Sequence, residues 1–211
     1  MSEPIVIVGC GGHGREIFGI IAAINEAKGE PWKVLGFVDD APTETSVGRL
    51  GRLGAALLGP SSELAQVDAH YVIGIGDPRV RAEVAAKLDP FGRPAARLVH
   101  PTASVGLDNS MADGVVLFAG ARVTTNVTLG RHVHLNQNAG IGHDSVLGDY
   151  VSVNPLAAVS GDCHLEPGVL VGTTAAVLQG LRIGAGARIG AGACVVRDVQ
   201  GNTVVKGVPA R

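Results

Sequence analysis

Large rings are scarce in this chain: aromatic residues fill 3% of its 211 positions, with one Trp, two Tyr and four Phe. A core made from it must pack Val, Ile, Leu and Ala closely against the 31 Gly. Charge is also thin, at 17% Asp, Glu, Lys and Arg and a net of −2. Lys and Arg are scattered and form no stripe, so neither nucleic acid nor an anionic membrane surface is an expected partner. No window of about 18 apolar residues runs unbroken, which excludes a membrane-spanning helix. The three cysteines, Cys10, Cys163 and Cys194, are odd in number and lack metal-ligand spacing. Together with a start that has no basic region or small-residue cleavage site, they lead us to expect a reduced, cytoplasmic protein. Disorder is excluded by what is abundant: 46% hydrophobic residues and a mean hydropathy of +0.30 bury enough surface to offset chain entropy.

Two textures follow one another. In the first, Ile5–Val8 is a short buried-strand run that enters the glycine-rich stretch Gly9 to Gly14. Ile17, Ile20, Ile21 and Ile24 then recur at i, i+3, i+4 and i+7, one face of a helix. Val34–Val38 reads as a second strand, ending at Asp39 and Asp40, and Tyr71–Ile75 as a third. Asp77-Pro78 offers an N-cap with proline at the first helical position, and Val80, Val84 and Leu88 supply that helix's expected apolar stripe. Strands alternating with helices imply a small parallel α/β sheet.

From Val99 the period becomes six. Seventeen successive first positions, from Val99 to Val195, are all aliphatic or Met, and among the fifth positions only Asn109 and Ser145 break a small-apolar rule. A repeat of this kind is a solenoid in which each hexad makes one short strand and a corner, with an aliphatic side chain inside. A narrow prism of this sort has no room for rings. Three hexads per turn make a coil of 18 residues, the geometry of the left-handed, three-sided parallel β-helix. An ordinary β-sandwich would instead need alternation of period two and turn clusters.

The glycines at 9, 11 and 14 have the spacing of a turn that presents backbone N–H groups to a phosphate at a helix N-terminus, or of a merely tight strand-to-helix turn. Dinucleotide binding is not expected, because Asp39 and Asp40 stand about ten residues beyond where the ribose-binding acid belongs. Of seven histidines, His70 reads as solvated and His100 as part of the domain junction. His132 and His134 flank Val133 and are expected to point outward, and His164 sits at a sixth position. His143 differs: Gly142 removes bulk before it and Asp144 follows it. Gly161, 18 residues on, should stack on His143 at the ladder spacing of about 4.8 Å. Adjacency in a strand would send Asp144 to the opposite face unless a corner bends the chain there. Arg182, Arg188 and Lys206 are candidate anion partners or ordinary solvated charges.

Six motifs in order, Val8 to Gly14, Phe37 to Asp40, Ile75 to Pro78, His100 to Ala103, Ile141 to Asp144 and Val205 to Pro209, beside the hexad array, carry a resemblance that spans nearly the whole chain. The sequence resembles the bacterial sugar O- and N-acetyltransferases, typified by sialic acid O-acetyltransferases and the enzymes that acetylate nucleotide-linked 4-amino-sugars. The resemblance implies a Rossmann-like α/β domain over residues 1–97 that holds a nucleotide-linked sugar. It implies a left-handed β-helix over 98–211 that forms a homotrimer and binds acetyl-CoA between neighbouring helices, with no metal. It implies sugar-nucleotide contacts at Gly11, Gly12, His13, Asp39, Asp40 and Gly76. His143 takes the place of the general base, the Gly161 N–H that of the oxyanion donor, Asp144 that of the residue holding the imidazole, and Asn136 lies near the acceptor group. Ser152, Thr173 and Ala191 match CoA-contacting positions, although Ser152 stands where some relatives carry a second histidine.

The expected activity is N-acetylation of an amino-deoxysugar nucleotide. O-acetylation of sialic acid or another sugar hydroxyl is the runner-up. Two other classes share the β-helix: a γ-carbonic-anhydrase-like metal enzyme, whose histidine spacing the pattern 132, 134, 143 does not reproduce, and a non-catalytic sugar-nucleotide sensor.

Overall fold

The computed structural model describes residues 2–211, in two compact units: residues 2–76 with 80–101, and residues 77–79 with 102–211. The first unit opens with β1 (Glu3–Val8), whose Ile5–Val8 run is almost wholly buried, and turns through Gly9–Gly11 into α1 (Gly12–Lys28). The buried face of α1 is Gly14, Ile17, Ile20, Ile21 and Ile24, as the 3.6-residue spacing requires. Next come β2 (Trp32–Val38), α2 (Glu44–Arg52), β3 (Leu57–Gly59), β4 (His70–Ile73) and α3 (Pro78–Leu88). The four strands form a parallel sheet in the order β3-β2-β1-β4.

Two features of this unit depart from the sequence reading. The segment α2–β3 carries no strong apolar period, yet Thr43 caps α2 by accepting the Ser46 N–H at 3.1 Å, with Glu44 in the first turn. In α3, Asp77 does accept the Arg79 N–H at 3.0 Å as a cap. Its buried stripe, however, is Arg81, Ala85 and Leu88; Val80 and Val84 are turned into a cavity. Arg81 tolerates full burial because its guanidinium donates to the Ile75 and Gly76 carbonyls at 2.7 and 3.0 Å.

The second unit is a left-handed parallel β-helix of two-residue strands stacked into three walls. Strand partners lie 18 residues apart: Thr128 with Val146, His134 with Ser152, Gly140 with Ala158. The inward first positions from Leu117 to Val195 are all 2% exposed or less, so each coil seals the next with aliphatic side chains. The frame fails at both ends. Val105, in the first coil, is 41% exposed. Beyond Val195 the coil shortens by two residues, so that Val199 pairs with Ile183 and Val205 with Ile189. Val199, expected at a fifth position, thereby takes an inward rank.

Corners follow a rule of their own. From residue 108 to residue 192 every fourth hexad position is left-handed, fifteen in all; eleven are Gly, Asn or Asp, and the others are His132, Tyr150, Leu156 and Thr174. The short polar side chains and glycine tolerate this conformation best. Such a residue reverses the side-chain direction that a continuing strand would give, which decides where Asp144 points.

Candidate active site

The first unit holds a cavity of about 490 Å³ at the ends of β1, β2 and β4. Gly11, Gly12, His13, Asp39, Asp40 and Gly76 all line it, so the structure brings together the six residues expected to meet a sugar nucleotide. The glycines divide by task. A Cβ on Gly14 would overlap the Gly9 carbonyl oxygen, and one on Gly74 would stand 2.5 Å from the Gly14 Cα, so these bare positions let the turn close. A Cβ on Gly11 would meet nothing within 4 Å. Gly11 is also the extended N-cap of α1 and has no side chain to occupy the first-turn N–H groups, which therefore face an open approach.

The acids are held in place. Asp39 accepts the Cys10 N–H at 2.8 Å and the Ala41 N–H at 2.9 Å, which ties the end of β2 to the glycine turn. Asp40 accepts the Ser61 N–H at 2.8 Å, and the Ser61 bonds hold its carboxyl below the usual range; Lys87 lies 3.7 Å away. Burial, then the nearby Asp39, pushes the Cys10 thiol up to about 11, so it stays protonated. Burial, with the Arg81 charge, drives His13 from 6.5 down to about 4. His13 is therefore a neutral hydrogen-bonding ring near pH 7. Ser61, Val80, Val84 and Lys87 also line the cavity. The i, i+4, i+7 spacing of the last three was the available sign of a face turned away from the core.

In the second unit, His143 and Gly161 occupy one corner. The chain binds itself there by the Asp162 N–H donating to the His143 carbonyl at 2.7 Å. A Cβ on Gly161 would lie 2.6 Å from His143 Nε2, so the imidazole rests in the space that a side chain would fill. The left-handed corner at Asp144 turns its carboxylate back to His143 Nδ1 at 2.6 Å. Thus the bend, left conditional in the sequence, exists, and the contact forms within one chain. Asn126 donates to the other Asp144 oxygen at 2.7 Å, and the bonds from Asn126 and then His143 lower the pKa of Asp144, so it is ionised near neutral pH. An ionised Asp144 accepts the proton of Nδ1, which leaves Nε2 with the free lone pair in the neutral ring. The ring is 63% exposed, and the Gly161 N–H has no acceptor among the described residues.

The other expected residues distribute differently. Asn136 is buried at the preceding corner, where its amide donates to the Val153 carbonyl at 3.1 Å. Thr173 and Ala191 stack on that same corner, the Gly192 N–H donating to the Thr173 carbonyl at 2.9 Å. The wall strands Gly140–Ile141 and Ala158–Val159 separate this corner from the one that carries His143. Ser152 is fully buried, paired between His134 and Leu170.

His132 and His134 correct the sequence reading: both are fully buried. His132 stacks on Tyr150 at 5.5 Å and lies over Gly114, while His134 neighbours Phe118 at 6.4 Å. His70 is not merely solvated, since it reaches Glu3 at 3.0 Å. Arg182 contacts Glu166 at 3.4 Å and Arg188 contacts Asp77 at 3.1 Å. Among the described residues no cluster of three His, Cys, Asp or Glu could hold a metal, and no helix is long and apolar enough to cross a membrane.

Residues 4–88 match the family model of the PglD N-terminal domain. Among solved structures, the chain is similar to perosamine N-acetyltransferase from Caulobacter crescentus in complex with CoA and GDP-perosamine. That match has 29% identity and a TM-score of 0.87, and covers 99% of this chain and 95% of that one. It is similar to the acetyltransferase domain of PglB from Neisseria gonorrhoeae, also solved with acetyl coenzyme A, at 26% identity and TM-score 0.88, covering 100% and 99% of the two chains. WeeI from Acinetobacter baumannii matches at 26% identity and TM-score 0.85, over 98% of each chain. No curated protein sequence matches.

Proposed function

Starting from a chain that is an acyltransferase of the sugar acetyltransferase family carrying a PglD N-terminal domain, we propose that it transfers acetyl from acetyl-CoA to the amino group of a nucleotide-linked amino-deoxysugar. The observation that carries this reading is the corner at which His143 Nε2, its partner nitrogen held by ionised Asp144, stands beside the bare Gly161. The Caulobacter relative was solved with one histidine replaced by asparagine or alanine and with both CoA and GDP-perosamine bound, which supports a histidine acting in the chemistry.

In this reading the sugar nitrogen attacks the thioester carbonyl carbon, and His143 Nε2 takes the proton that nitrogen gives up. The carbonyl oxygen gains the negative charge of the tetrahedral intermediate, and the Gly161 N–H donates to it. Collapse breaks the carbon–sulfur bond, and the imidazolium returns its proton to the departing CoA thiolate. Asp144 keeps the ring in the competent tautomer and stabilises its transient charge. The sugar nucleotide sits in the cavity of the first unit, its phosphates toward the Gly11 and Gly12 amides and His13, and its hydroxyl or base groups toward Asp39, Asp40 and Gly76. CoA contacts Thr173 and Ala191, and not the fully buried Ser152, in a homotrimer of cytoplasmic chains that brings neighbouring corners together.

A free-thiol assay with acetyl-CoA tests this against a panel of nucleotide-linked amino sugars and free sialic acids. Thiol release with the amino-sugar nucleotides is expected. Release with sialic acids alone moves the assignment to O-acetylation, and release with neither overturns it.

A further inference from the structure

Ser145 is one of only two residues that break the small-apolar rule of the fifth positions, and its hydroxyl is fully buried. At seven corners the fifth-position N–H closes the turn onto the carbonyl three residues earlier, among them Ala139 to Asn136 at 3.0 Å, Ala157 to Asn154 at 3.1 Å, Ala175 to Gly172 at 3.0 Å and Ala187 to Gly184 at 3.1 Å, and none of the seven belongs to the stack of residues 127, 145 and 163. The corner that carries Gly161 lacks this bond. There the Cys163 N–H donates to Ser145 Oγ at 3.2 Å, and Ser145 Oγ–H lies 3.2 Å from the Ser160 carbonyl, an oxygen with no other donor. The alternative acceptor, the His143 carbonyl, is farther at 3.5 Å and already accepts the Asp162 N–H. The hydroxyl of one coil is thus inserted into the turn of the next.

The Ser160 carbonyl and the Gly161 N–H belong to one peptide group. We infer that Ser145 is a positioning residue for the proposed acetyl transfer: by bonding both the Ser160 carbonyl and the Cys163 N–H, it sets the plane of the Ser160–Gly161 peptide so that the Gly161 N–H meets the thioester oxygen beside His143. The inference rests on the proposed function. Donating to the carbonyl end also polarises the peptide and strengthens its N–H as a donor. Gly142 completes the fit, because a Cβ there would overlap the Gly161 nitrogen and push the same peptide away. Without the hydroxyl, the Cys163 N–H and the Ser160 carbonyl lose their shared partner, and the peptide between residues 160 and 161 is free to rotate from its place.

Ser145→Thr and Ser145→Val test this as near-isosteres that differ in the hydroxyl. Val already fills the fifth position at 127, 133, 151 and 169, so its volume suits the wall. The Val chain is expected to lose roughly 10- to 100-fold in kcat, less than the roughly 10²–10³ for deleting an oxyanion donor outright. Its KM for acetyl-CoA should stay within about twofold of the original chain, the shape of its pH–rate profile should be unchanged, and the Thr chain should keep most of the rate. Equal kcat for the two variants overturns the inference. So does a Val chain whose loss lies in KM alone. His143→Ala, run alongside, separates this result from the proposed function: if that chain keeps full activity, the catalytic assignment itself fails, whereas its loss with equal Thr and Val rates removes only the role of Ser145.

Discussion

Two histidine rings in the β-helix lie against a glycine one coil away, and their surroundings could hardly differ more. His143 rests on Gly161 at 63% exposure, with Asp144 on its Nδ1. His132 rests on Gly114 with no exposure and stacks flat on Tyr150. The repeat itself therefore supplies the His-over-Gly placement, because residues 18 apart are neighbours and glycine leaves room for a ring. What distinguishes the proposed catalytic corner from the packed one is the opening to solvent and an ionised partner that fixes the tautomer. Stacking geometry alone does not make a base.

The sharpest way to break this contrast is to remove each ring. His143→Ala should lower kcat by roughly 10²–10⁴-fold, measured by thiol release, with the thermal transition unmoved, since the ring contributes nothing to the inner core. Gly161→Ala comes next: its methyl would stand 2.6 Å from Nε2, and displacing the imidazole by about 1 Å should cost on the order of 10²-fold in kcat. His132→Ala should do the reverse. Emptying that buried stack should destabilise the β-helix by about 2–5 kcal/mol in urea titrations, while kcat for the folded fraction stays within a small factor of the original. A His132→Ala chain that folds normally and fails in catalysis would collapse the distinction between the two corners.

The smallest expected effect belongs to the first unit and depends on pH. His13 is held neutral in the folded chain down to about 4, whereas in the unfolded chain it titrates near its ordinary 6.5. Between these values the unfolded chain binds the additional proton, so stability falls as the pH drops through this window, by up to about 3 kcal/mol. Urea titrations at a series of pH values should show that slope, and His13→Gln should remove this contribution to it.

How far the sequence could be read follows from the same physics. The inward positions were legible because burial in a narrow prism permits only aliphatic side chains, and the frame holds from Leu117 to Val195. The six cavity residues came from the family resemblance, and the fold accounts for their meeting, since a strand, a glycine turn and a helix place them at the carboxyl ends of parallel strands. Outward positions were not. A hexad pattern says which residue leaves the core, yet it is silent on whether something covers it, so His132 and His134 were assigned to the surface. The turn of Asp144 toward His143 was left open for a different reason: it depends on the left-handed fourth position, whose record of Gly, Asn and Asp lay in the sequence but is interrupted by His132, Tyr150, Leu156 and Thr174. Val80 and Val84 were assigned to the core because periodicity marks an apolar face and not what that face meets.

The most direct test of the catalytic corner is the pH dependence of kcat/KM for the amino-sugar nucleotide, compared between the original chain and the residual activity of His143→Ala. The account predicts that the original chain loses activity on the acid side with the slope of a single proton, and that this limb disappears when residue 143 is alanine. An acid limb that persists unchanged in His143→Ala would mean that another group takes the proton, and would contradict the assignment of the base.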